Sequence, residues 1–200
     1  MSNYDKLRVS LRYWLLGREY YRAADALEFA AEWHTGTRKD GVTPEYEHQI
    51  RIAHYLRSLN TSLMHPEETI AAALLHDVVE DHPVPLDVVY RRYGDQIGKA
   101  VDLLTKTEPK TDSFYYTQMV DNPIASIVKG GDRIHNVQTM IGVFSIQKQA
   151  TYCTEVNRYI LPMLRDARRK FPQQEAAYEN IKHVLTSQIQ LVEEIHKSAS

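Results

Sequence analysis

Apolar residues recur at intervals of three and four through most of this chain, and the strict alternation that makes a half-buried strand is nearly absent. Within 68–81, Ile70, Ala71, Leu74, Leu75 and Val78 share one helical face. Near the end, Ala177, Ile181, Val184, Leu185, Val192 and Ile195 repeat the pattern, with Gln188 the polar residue in the row. The same periodicity runs through 18–33, 45–59, 97–104, 123–143 and 151–169. Pro123 suits a first helical turn, where its missing N–H costs nothing. The breaks are equally legible: 35–44 is polar and contains glycine, 82–85 (HPVP) forces the chain out of the helical region, and 108–112 is polar. No repeat, low-complexity tract or flexible linker divides the sequence. The expectation is an all-α bundle of about eight helices forming one domain over 1–200.

Composition narrows the class. At 200 residues the chain can bury a core without covalent staples. One cysteine, Cys153, excludes an internal disulfide framework and a cysteine-rich zinc module, and points to a reducing, cytoplasmic compartment. The net charge of −2 gives no electrostatic footprint for nucleic acid or an anionic membrane. No apolar run approaches the roughly 20 residues of a membrane span. The N-terminal stretch has only a short apolar segment at 13–16 and does not read as a signal peptide.

The chemistry concentrates in 71–81, AAALLHDVVED, where His76, Asp77, Glu80 and Asp81 interrupt an apolar helix. Helical spacing of three and four makes neighbours of these side chains. Three carboxylates so close repel one another unless a positive charge sits among them, and a divalent cation is the obvious candidate. Leu74, Leu75, Val78 and Val79 flank His76 and Asp77, so water is scarce there and the pair needs a partner. Asp132 in KGGDRIHN and His48 in PEYEHQI are further candidates on separate helices, with Asn136 and Thr139 following Asp132 on roughly its own face. Taken alone, His48 reads as a helix-end histidine and Asp132 as an aspartate paired with arginine. Together these residues offer two imidazoles and two carboxylates, a donor set without thiol that suits Mn²⁺, Fe²⁺, Zn²⁺ or Mg²⁺. Such an ion polarises a phosphoryl oxygen and lowers the pKa of a bound water to about 7, which is the chemistry of phosphate-ester hydrolysis.

The order His48, His76-Asp77, Asp132 resembles the signature of the HD superfamily of metal-dependent phosphohydrolases, an all-α fold. AALLHDVVED is close to the motif of the hydrolase domain of RelA/SpoT alarmone enzymes. DRIHNVQT (132–139), HTGTRKDGVTPEYEH (34–48) and YGDQIGKAVDLLTKT (93–107) resemble further segments of that domain. The likeness covers about 18–165, with C-terminal helices over about 145–197, and the chain is similar to the stand-alone small alarmone hydrolases of the Mesh1 type. That resemblance implies Mn²⁺-dependent removal of the 3′-pyrophosphate from ppGpp or pppGpp. It implies metal ligation by His48, His76, Asp77 and Asp132, and a Glu80-Asp81 pair that orients or deprotonates the attacking water. It also implies nucleotide contacts from Arg38, Lys39, Asn136 and Thr139 and a small-nucleotide substrate; functional pairing with an alarmone synthetase is a further possibility of context, on which the sequence is silent. An adenosine alarmone and the 2′-phosphate of NADPH are alternative substrates for the same site. A non-catalytic alarmone sensor is a further alternative, against which the intact Glu80-Asp81 pair argues.

Some positions depart from the family text. Gln49 stands where proline is usual, Gln138 replaces a frequent arginine, and Gly130-Gly131 precede Asp132. Two glycines inside a helix cost about 1 kcal/mol each relative to alanine, so either the helix is loose there or the backbone approaches something closely. His34 also matches a family position, as a capping histidine or a direct contact. Tyr20, Tyr21, Tyr55, Tyr90 and Tyr159 fall at core-like positions, Tyr115 and Tyr116 are candidates to line a pocket, and 165–170 (RDARRK) reads as a solvated helix end.

Overall fold

The computed structural model describes residues 1–106 and 112–198. The regular secondary structure of these residues is helical, with one isolated bridge, Thr37 to Pro44, as the extended pairing among them. Of the predicted 108–112 break, 108–111 lies outside the described residues.

The chain opens with α1 (Asn3–Gly17), started by a Ser2–Asp5 capping box and contributing Leu11 and Leu15 to the core. Then come α2 (Tyr21–Trp33), the polar loop, α3 (Glu47–Ser58), α4 (Pro66–Leu75) and the single turn α5 (Val78–Asp81). The helices α6 (Leu86–Tyr93), α7 (Asp95–Leu104) and α8 (Asp112–Met119) lead to α9 (Pro123–Thr139). The last three are α10 (Ile146–Glu155), α11 (Leu161–Lys170) and α12 (Glu175–Ser198). From Thr69 to Leu75 every residue of α4 is buried, and α4 packs against α2, α3, α7 and α9. A helix apolar on all sides belongs at the centre of a bundle, so α4 is the element on which the others are hung.

Three features of this packing position the site. First, the 68–81 stretch is not one continuous helix. His76 and Asp77 form a turn between α4 and α5, with Asp77 at φ −98°, ψ −6°. The His76 Nδ1 lies 2.9 Å from the Ala73 carbonyl, the acceptor that the Asp77 N–H would take in an unbroken helix. Second, α9 starts as expected at Pro123, with the Asn122 side chain accepting from the backbone N–H of Ile124 and Ala125. Third, Gly130 and Gly131 do not loosen α9. A Cβ on Gly130 would stand 2.7 Å from Ile181 Cγ2, and one on Gly131 would stand 3.3 Å from Ile52 Cγ2. Glycine is there because α12 presses on one side of α9 and α3 on the other.

Of the tyrosines expected at core positions, Tyr20, Tyr55 and Tyr159 pack against the core while partly buried and Tyr90 is partly buried, but Tyr21 is 64% exposed and needs correcting. The buried tyrosines are Tyr46, Tyr93, Tyr115, Tyr116 and Tyr178. Spacing alone does not separate the core edge of a helix from its flank, and a phenol tolerates either. The end of α11 carries Arg168, Arg169 and Lys170 in its last turn, where positive charge faces the negative end of the helix. No helix among the described residues is long and apolar enough to cross a membrane.

Candidate metal centre and nucleotide pocket

Helices α3 and α9 and the turn after α4 deliver His48, Asp132 and His76 to one buried point, where a ligand atom from each lies within 4.8 Å of the other two. His48 Nε2 is 3.2 Å from Asp132 Oδ1, and His76 Nε2 is 3.9 Å from that oxygen. Asp77 abuts this trio, its Oδ2 3.1 Å from His76 Nε2 and 4.0 Å from His48 Nε2.

The tautomers are set by the neighbours. With Nδ1–H of His76 donating to Ala73 O, its Nε2 points inward and faces the Asp77 carboxylate at 3.1 Å, the position in which a cation would take its lone pair once the ring is neutral. His48 Nδ1 lies 2.7 Å from His135 Nδ1, which engages the far side of the His48 ring and leaves Nε2 for the centre. A buried nitrogen facing two carboxylates and a second imidazole is the donor arrangement that a divalent cation with nitrogen and oxygen ligands requires. The His48–His76–Asp132 trio therefore fits such an ion, with Asp77 beside it.

Electrostatics point the same way. Against burial, which alone would raise it, the Lys129 ammonium and the two imidazoles hold the Asp132 carboxyl well below the usual carboxylate range. Lys129 Nζ donates to Asp132 Oδ2 at 3.0 Å, and Asn136 Nδ2 donates to Oδ1 at 2.5 Å. Burial would lower His76, but the Asp77 and Asp132 carboxylates raise it to about 9. Gln49 Nε2 donates to Asp77 Oδ2 at 3.0 Å.

A cavity of about 770 Å³ opens over this centre, within the roughly 300–1,000 Å³ of ordinary ligand pockets. Asp77, Glu80, Asp81, Arg38, Lys39, Asn136 and Thr139 all line it, so the predicted ligands His48, Asp77 and Asp132 share one space with every predicted catalytic and substrate residue. Glu80 Oε2 accepts from the backbone N–H of Lys106 at 2.8 Å, and Arg38 Nη2 stands 3.5 Å from Thr139 Oγ1. Burial first, then the Asp77 and Glu80 carboxylates, raise the Asp81 carboxyl. Tyr115 and Tyr116, offered by the sequence only as candidates, both line the cavity, whereas His34 does not.

Sequence reasoning missed Lys129, Arg133, Arg51 and Lys106, which also line the cavity. The Arg133 guanidinium, 2.8 and 2.9 Å from the two Glu155 oxygens, lies 4.9 Å from the Tyr152 ring centroid. The spacing of Lys129, three residues before Asp132 on the same helix, was the available signal for it.

An all-helical bundle that gathers two histidines and two aspartates from three helices in this order is the architecture of an HD domain. A family model described as an HD domain matches residues 26–113. The mouse protein named guanosine-3′,5′-bis(diphosphate) 3′-pyrophosphohydrolase MESH1 is 31% identical over 134 residues, covering 62% of this chain and 73% of that one. A probable GTP pyrophosphokinase of Mycobacterium leprae is 30% identical over 161 residues, covering 73% of this chain and 20% of its own. A solved structure described as a metazoan ortholog of SpoT that hydrolyzes ppGpp has a TM-score of 0.60 at 21% identity, covering 80% of this chain and 93% of that one. The chain spans about a fifth or less of the long bacterial relatives that it matches. It belongs to the HD-domain family, the one that holds these alarmone pyrophosphohydrolases.

Proposed function

We propose that this protein is a metal-dependent phosphohydrolase that removes the 3′-pyrophosphate of ppGpp or pppGpp, releasing pyrophosphate and GDP or GTP. The observation that carries the reading is the buried His48–His76–Asp132 cluster with Asp77 beside it, lying against a cavity of nucleotide size whose lining includes Arg38, Lys39 and Lys106 as well as the Glu80 and Asp81 carboxylates. The name of the mouse relative supports the substrate.

In this reading His48, His76, Asp77 and Asp132 hold the ion, with Mn²⁺ as the ion proposed. When bound, the ion supplies a Lewis acid for a phosphoryl oxygen and an acidified water. Glu80 and Asp81 orient that water and take its proton, a role helped by the raised Asp81 carboxyl. Neither Arg38 nor Lys39 has an ion-pair partner among the described residues, which leaves both free for phosphate oxygens or, in the case of Arg38, for a base. Thr139, beside Arg38, and Asn136 bound the sugar and base. The 1–200 chain acts as one HD-type domain in the cytoplasm, where its single cysteine stays reduced. Pairing with an alarmone synthetase is supported by the long relatives named GTP pyrophosphokinase.

The test is hydrolysis of ppGpp, ppApp and NADPH side by side with Mn²⁺, using EDTA as control. Pyrophosphate from ppGpp, abolished by EDTA, is the expected result. Turnover of ppApp or NADPH alone would reassign the substrate while keeping the site. No turnover of any by the metal-loaded protein would leave a nucleotide sensor.

A further inference from the structure

A second group of potential ligands reaches this cavity through Glu45, one of its lining residues. His34 ends α2, Glu45 lies in the loop before α3, and His82 ends α5; one ligand atom from each falls within 4.8 Å of the other two. His34 Nδ1 faces His82 Nε2 at 2.8 Å and Glu45 Oε1 at 3.8 Å. The His34 side chain is fully buried and cannot swing away, because its ring stacks on Tyr46 with centroids 5.5 Å apart and planes 4° apart. The His82 ring meets it edge to face at 4.3 Å.

Two imidazole nitrogens aimed at each other, with a carboxylate oxygen closing the third side, is an arrangement that a proton bridges in the free protein and a metal can bridge instead. We propose that His34, Glu45 and His82 form a second divalent-cation site, distinct from the His48–His76–Asp132 centre, that takes a transition-metal dication of the Zn²⁺ class.

The donor set, two imidazoles and one carboxylate, suits that class rather than Mg²⁺ or Ca²⁺, which favour all-oxygen sites. Burial, followed by the neighbouring His82, lowers His34 to about 4, so its ring is neutral and able to ligate at ordinary pH. On binding, the proton shared by the facing nitrogens moves to the other nitrogen of its own ring, and the ion meets two lone pairs and a carboxylate. Zinc–nitrogen bonds of about 2.0–2.1 Å require the facing nitrogens to part by a few tenths of an ångström. His82 is only half-buried at the end of a single-turn helix and can supply that movement.

The surroundings favour a cation. Glu45, Asp77, Glu80 and Asp81 line the adjoining cavity, and Glu45 is among the carboxylates that raise Asp81. An ion bound here would tie together the ends of α2 and α5 and the loop that carries Arg38 and Lys39. Its charge would oppose the rise of the Asp81 carboxyl.

The experiment is Zn²⁺ titration of the metal-stripped full chain by calorimetry, with metal content counted after gel filtration. Two tight equivalents per chain are expected for the wild type. Asp132→Ala is expected to keep one, held at the second site. His82→Ala is expected to keep one, held at the first, and Glu45→Gln to weaken one equivalent at least tenfold while sparing the other. Circular dichroism checks that each variant is folded, and the near-isosteric Glu45→Gln decides the matter if His82→Ala is not. A single equivalent in the wild type would overturn the proposal, as would two undiminished equivalents in both His82→Ala and Glu45→Gln. The retained count in Asp132→Ala reports the two centres separately, so failure here leaves the hydrolase reading standing.

Discussion

Gln49 donates its side-chain amide to the Asp77 carboxylate at 3.0 Å, across the gap between α3 and the turn that follows α4. The contact joins the residue after His48 to the residue after His76, so each candidate ligand histidine is followed in sequence by one member of a hydrogen-bonded pair. Gln49 is 2% exposed and its Oε1 meets no partner, which leaves Asp77 as the one side chain that the amide engages among the described residues. A proline here, usual in the family text, has no amide to give. In this chain the orientation of Asp77 is therefore fixed from α3.

Gln49→Ala should weaken metal binding by about 10- to 100-fold, the range typical when a partner that orients a ligand is removed. Mn²⁺ titration calorimetry measures this directly. An unchanged affinity would mean that Asp77 is held by other contacts or does not ligate.

Gly130→Ala should destabilise the fold although alanine is the better helix former. Propensity favours alanine by about 1 kcal/mol, but the new methyl would stand 2.7 Å from Ile181 Cγ2 and 3.2 Å from Leu164 Cδ2. Overpacking of this kind costs about 1–3 kcal/mol. At Gly131 the nearest atoms are 3.3 and 3.4 Å away, so Gly131→Ala should be closer to neutral. Thermal melts of the two variants should rank them in that order, and equal melting points would contradict the packing account.

These glycines also show where sequence reasoning stopped. The helical class and the start of α9 at Pro123 were legible, because periodicity and turn chemistry are local, and an ordered motif was enough to select ten candidate site residues, nine of which line one cavity. Whether Gly130-Gly131 meant a loose helix or a close approach depended on Ile181 and Ile52, which are remote in sequence, and only the fold supplies them. The turn at His76-Asp77 was hidden for a related reason: apolar spacing continues across it, while the Ala73 carbonyl that breaks the ladder carries no signal in its side chain. His82 drew notice only as part of a break, since its contact with His34 spans 48 positions.

Glu80→Gln should retain metal and lose most turnover, by about 10²- to 10⁴-fold if the carboxylate assists proton transfer. The Lys106 N–H can still donate to the amide oxygen, so the side chain keeps its anchor. Metal content and kcat measured on one preparation separate the two effects. Normal turnover would remove Glu80 from the chemistry.

Arg38→Ala should act mainly on KM. The guanidinium lines the cavity and makes its one side-chain hydrogen bond among the described residues to Thr139 Oγ1, at 3.5 Å, so its removal should leave the fold and the metal centre in place. A rise in KM of about tenfold or more with kcat little changed is the signature of lost uniform binding. An unaltered KM for every nucleotide tested would reject the role.

Metal-free protein should be most stable near pH 6.5 and lose stability on both sides. His76 stands at about 9 in the fold against 6.5 for an ordinary histidine. Its contribution is therefore complete below pH 6.5 and disappears as pH rises through 9, a loss of at most about 3 kcal/mol. On the acid side, burial keeps His34 at about 4 and His135 at about 3. The unfolded chain takes up protons there that the fold refuses, so stability falls as pH drops below 6.5. Saturating Mn²⁺ should reverse the alkaline limb only, because the ion needs the neutral His76 that high pH provides. Melting temperatures from pH 5 to 9, with and without Mn²⁺, test both signs at once. An alkaline limb that falls equally in the two series would mean that His76 does not ligate the ion.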